Sequence, residues 1–192
     1  MMDNRINFTD GMKQLIKNWK GNTLHSFIQN DNGDCDTCIR FLIGNNIYVV
    51  DNRYVLYVDE AGDKVEYSCF SCSMLNHSYL LQKVVGNREK ENIIEEEILD
   101  IFIVRDFEKG KLFDSGIPYE LIFDTALIIQ TTNGYYAFWR ELFSNMIISS
   151  FGEDFEQAVS TIKSEEKIRL EAQEENPYIV TVKRIVEKLW KS

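Results

Sequence analysis

Apolar and polar positions alternate along this chain with two periods, and the switches between them predict its elements. Met12, Leu15, Ile16 and Trp19 recur at i, i+3, i+4 and i+7, the stripe of an amphipathic helix over residues 10–20 that Thr9 can cap. Gly21-Asn22 ends it, and a short strand over 24–29 follows. Residues 39–43, 47–50, 53–59 and 64–70 are dense in Ile, Val, Tyr and Phe. Turn-forming clusters divide them at Gly44-Asn45-Asn46, Asp51-Asn52 and Glu60-Ala61-Gly62-Asp63, so a four-stranded β-meander is predicted.

Further on, Asn87 with Glu89 and Glu91 suits the first turn of a helix over 87–97. A strand over 98–105 and a turn over 108–111 follow. The clearest hairpin joins 125–132 to 135–142 through Asn133-Gly134, two residues that tolerate the positive φ of a type I′ turn. That turn places Ile129 opposite Phe138 and Ile128 opposite Trp139, and residues 146–151 add another strand. Helical spacing then predicts helices over 154–163 and 164–174. After Asn176-Pro177 it predicts one over 178–190, where Ile179, Val182, Ile185, Val186, Leu189 and Trp190 form a stripe. The expected fold class is α+β: antiparallel β-sheets, a meander plus hairpins, with an N-terminal helix and C-terminal helices. The expected organisation is two units, 1–85 and 86–192, or one continuous domain.

Composition adds that 192 residues with 44% hydrophobic content can bury a substantial core. No run of about 18 apolar residues exists, and the first residues lack an apolar signal region. A cytoplasmic, bacterial protein without membrane association is therefore expected. Charge is uneven. Residues 1–90 carry ten Lys/Arg and eleven Asp/Glu, whereas residues 91–192 carry eleven and twenty. Phosphate backbones demand cationic surface, so nucleic acid is not an expected partner. An acidic half can instead steer a basic protein partner by field complementarity.

The cysteines bring the one constellation with chemical content. All four lie in two CxxC pairs, Cys35/Cys38 and Cys69/Cys72. Thiolates two residues apart on a tight turn can share a metal ion, and two such turns complete a tetrahedral structural zinc site. If the four meander strands run up, down, up and down, both pairs fall at one end of the sheet. If Asp51-Asn52 is not a turn, three longer strands are expected to separate the pairs and the zinc reading fails. The same cysteines also suit small core hydrophobes or a redox pair, and His77 is a substitute ligand. The pairs resemble a zinc ribbon in ligand arrangement alone, without its usual Pro and Gly. Catalytic motifs such as GxSxG, HExxH and the phosphate-binding glycine loops are absent. The expected function is a non-enzymatic acidic binding protein of inhibitor or immunity type. The alternative is an enzyme with a carboxylate site, for which Asp124 and Glu141 are one candidate pair.

Overall fold

Thr9 caps the first helix as its hydroxyl predicts, accepting a hydrogen bond from the Met12 amide at 3.2 Å. The computed structural model describes residues 7–30, 38–58, 64–75, 89–111, 118–140, 147–163 and 179–190. In chain order these form α1 (Asp10–Lys17), β1 (Thr23–Asn30), β2 (Cys38–Ile43), β3 (Asn46–Val58) and β4 (Lys64–Leu75). There follow β5 (Glu89–Lys111), β6 (Pro118–Thr131), β7 (Tyr135–Arg140), β8 (Ile147–Gly152), α2 (Phe155–Thr161) and β9 (Ile179–Lys188). The fold is mostly antiparallel β with two short helices among the described residues, rather than the balanced α+β expected.

Strand order is β4-β3-β2-β1-β5-β6-β7-β8, and β9 also pairs with β5. The 23-residue β5 joins two sheets. Its first part, Glu89 to Glu97, pairs with β1, and the remainder pairs with both β6 and β9. The two sheets then face each other. Phe27 and Phe41 of the first meet Phe138 of the second edge-on, with ring centroids 5.1 and 4.8 Å apart. Ile39, Phe41, Val50, Phe70 and Cys72 line this core from one side, Ile101, Ile103, Leu127 and Phe138 from the other, and α1 adds Ile16. Alternating side chains make this possible, since only every second residue of a strand reaches a given face.

A second apolar cluster lies on the outer face of the second sheet. Val104, Ala126, Ile128, Ala137 and Trp139 are covered there by α2, through Phe155, Val159 and Ile162. These three recur at helical spacing. Gly152 lets the helix approach, because a Cβ at that position would sit 2.7 Å from the Ala158 nitrogen.

Several expectations are corrected. Of the helix expected over 87–97, the described part, Glu89 to Glu97, is strand, and β5 runs on through the turn expected at 108–111. Residues 179–188 are strand β9, not helix, because their run of Ile, Val and Thr suits an extended backbone beside the open edge of β5. Asp51-Asn52 is no turn, since both pair within β3. The predicted helix at 164–174 and the turn at 60–63 lie outside the described residues. The hairpin keeps its predicted faces but changes partners. Ile129 stands opposite Tyr136 and Leu127 opposite Phe138, with Thr131 donating its amide to the Gly134 carbonyl at 2.8 Å. Thr132 and Asn133 thus form the turn. Gly134 is needed for contact rather than for positive φ, as a Cβ there would lie 2.5 Å from the Phe151 ring.

Candidate interaction face

Cysteine geometry comes first, as the strongest expectation from sequence. Cys69 and Cys72 lie inside β4, in an unbroken ladder opposite Arg53 and Val50. Alternation turns them to opposite faces, and Cys72 points with Val50 into the core. This is ladder geometry, not the tight turn from which two thiolates reach one ion. Cys38 stands opposite Asp51, which stands opposite Ser71. Cys38 is therefore level with Cys69 and Cys72 rather than at the opposite end, because β2 begins halfway along β3. Cys38 shares the face of Ser71 and Cys69, away from Cys72. Burial pushes the Cys72 thiol up to about 12, with Asp51 adding to the effect. Burial also raises Cys69, against the pull of Arg140 and Arg53 towards the thiolate. Among the described residues, no three His, Cys, Asp or Glu side chains are grouped to hold a metal ion. Cys35 and His77 lie outside the described residues.

The buried charges work as clamps. Asp124 accepts the Phe8 amide at 2.7 Å on one oxygen and Arg105 Nε at 2.8 Å on the other. Buried Asp106 accepts Nε and Nη2 of Arg184, each at 2.7 Å, while Arg184 Nη1 donates to the Ile162 carbonyl at 2.6 Å. This fork ties β5, β9 and the end of α2 together. Arg140 donates Nε to the Asp124 carbonyl at 3.0 Å, and its guanidinium lies against the rings of Phe70 and Phe123. Asp124 thus anchors the chain before α1 to β6. Glu141, its suggested partner in an acid pair, lies outside the described residues.

The outer face of the first sheet differs from every other surface described. Register aligns Ile93 of β5, Ser26 of β1, Leu42 of β2, Ile47 of β3 and Leu75 of β4 in one row across the strands. The neighbouring row is Glu91, Ile28, Arg40, Val49 and Ser73. Leu42, Ile47, Leu75, Ile28 and Val49 are half-buried, and Ile93 is 64% exposed. None belongs to either apolar cluster, and among the described residues no helix packs on them.

Carboxylates border this row along β5. Glu89, Glu91, Glu95 and Glu97 recur at every second residue, and Glu95 and Glu97 are exposed. Glu89 pairs with Arg40, Glu91 accepts from Ser26 Oγ at 2.7 Å, and Glu95 lies 2.8 Å from His25 Nδ1. With Asp51, five carboxylates among the described residues share the face with two guanidiniums, Arg40 and Arg53. Glu95 takes φ 58 at a bulge where Ile94 and Glu95 oppose His25 alone. A non-glycine residue rarely adopts that conformation, and the bulge aims its carboxylate outward. Glu96 turns the other way and accepts from Thr131 Oγ1 at 2.5 Å.

Sequence reasoning took this acidic stretch for a helix and missed the face. The period-2 recurrence Glu89, Glu91, Ile93, Glu95, Glu97 was the available signal. Among the described residues no helix is long and apolar enough to cross a membrane, which leaves β-barrels unaddressed. Comparison with family models, curated proteins and solved structures found no match.

Proposed function

We propose that this chain is a non-enzymatic acidic binding protein, of the inhibitor or immunity type, that engages a basic protein partner. The observation that carries the reading is the β5 border: four glutamates within nine residues surround an exposed isoleucine on an open sheet face. An apolar centre with a polar, charged rim is the anatomy of a protein interface. Charge of one sign along the rim accelerates encounter with an oppositely charged partner. The buried carboxylates Asp106 and Asp124 are bound into clamps, whereas the glutamates of the β5 border face outward to carry recognition.

The test is capture from native lysate at low salt by the wild-type chain and by a Glu91→Lys/Glu95→Lys variant. The reading expects a basic protein retained by the wild type, lost on charge reversal and released as salt rises. Failure to retain any basic protein, or equal retention by the reversed variant, contradicts it.

A further inference from the structure

We infer that the apolar row on the first sheet seats an amphipathic basic helix of the partner, laid across the strands. This rests on the reading of the chain as a binder of a basic protein and names the form that partner presents. Four strand spacings separate Ile93 from Leu75, about 19 Å at 4.7–4.9 Å each. A helix of about 13 residues has that length at 1.5 Å per residue.

The second sheet shows how such a face is closed in this same molecule. There Phe155, Val159 and Ile162 lay one helical stripe over Val104, Ala126 and Trp139. The first sheet offers a comparable row of branched aliphatic side chains, Leu42, Ile47 and Leu75, with Ile93 at its end. Charge then selects the occupant. Lys or Arg at one end of the helix would meet Glu91, Glu95 and Glu97, whereas an acidic helix would be repelled. A second copy of this chain, with the same glutamates on its own face, would bring like charges together across a two-fold axis.

The probe is a fluorescent peptide of about 14 residues, with Leu at i, i+3, i+4 and i+7 and Lys on its flanks. Its anisotropy is measured against the full chain. Binding is expected to weaken at least about tenfold in Leu42→Ser/Ile93→Ser, and a scrambled peptide of the same composition should bind as weakly. Circular dichroism of the variant confirms that it folds. If the variant binds equally well, the helix seat is overturned while the basic-partner reading stands. If the scrambled peptide binds equally well, helical form is overturned and charge alone remains. If neither peptide binds the wild type, both readings fail. A photo-reactive side chain at Ser73, exposed in the neighbouring row, identifies the occupant: a link to the peptide supports the seat. A link to a second copy, or to the chain's own residues, overturns it.

Discussion

On the outer face of the second sheet, Val104, Ala126, Ile128 and Trp139 lie under α2; on the outer face of the first, Leu42, Ile47 and Leu75 are half-buried and Ile93 stands 64% exposed. Both faces belong to antiparallel strands and present apolar rows. The covered face is rimmed by contacts within the chain, such as Arg184 to the Ile162 carbonyl. The open face is rimmed by carboxylates, some of them held by Arg40, Ser26 and His25. A face meant only for water gains nothing from an aliphatic row. A face completed within the fold has no need of a one-sign border.

Stability should divide along the same line. Trp139→Ala, on the covered face, is expected to lose about 3–5 kcal/mol in urea unfolding. A loss below about 1 kcal/mol would mean that α2 does not seal that face. Gly152→Ala forces a methyl against the Ala158 nitrogen, 2.7 Å away, and should cost about 1–3 kcal/mol. An unchanged urea midpoint would place α2 less closely than described.

The first sheet has its own inner and outer sides, and pH separates them. Cys72 faces the core, and burial raises its thiol to about 12. A raised value means that the folded state holds the proton more tightly than the unfolded state does. Its contribution is complete below the unfolded value, about 8.5, and is lost as pH rises towards 12. Stability should therefore fall with a slope of about 1.4 kcal/mol per pH unit from this group. Cys72→Ala should flatten that part of the profile, and an unaltered slope would show that Cys72 is not the buried thiol responsible.

Leu42→Ala on the open face should cost about 1 kcal/mol or less in the isolated chain. A loss approaching that of Trp139→Ala would show that the row is already covered, and would collapse the contrast between faces. The smallest effect concerns Glu95. Glycine removes the strain of φ 58 and gives up only an exposed pair with His25. Glu95→Gly is expected to raise stability by up to about 1 kcal/mol, and a clear loss would show that the His25 contact outweighs the strain.

Legibility in the sequence followed how far local chemistry decides structure. The Thr9 cap, the strand β2, the edge strand β8 and the faces of the hairpin expected over 125–142 could be read where they are described, since caps and two-residue alternation act locally. The hairpin partners could not. Gly134 was read as a turn residue, while its role is to admit the ring of Phe151. The stretches 89–97 and 179–188 contain helical spacings that compete with alternation, and tertiary pairing to β5 decides between them. The cysteine spacing was legible, but not the ladder through Cys69 and Cys72 that turns these two to opposite faces. The candidate face was the least legible feature. It is assembled by register across five strands, and no single segment carries its row.

Backbone amide spectra of the full chain, recorded during titration with the Lys- and Leu-bearing helical peptide, test the open face most directly. Shifts confined to Ile28, Leu42, Ile47, Val49, Ile93 and their neighbours, saturating together, are the predicted result. Shifts centred on α2 and β8, or scattered over exposed acids without saturation, would contradict the account.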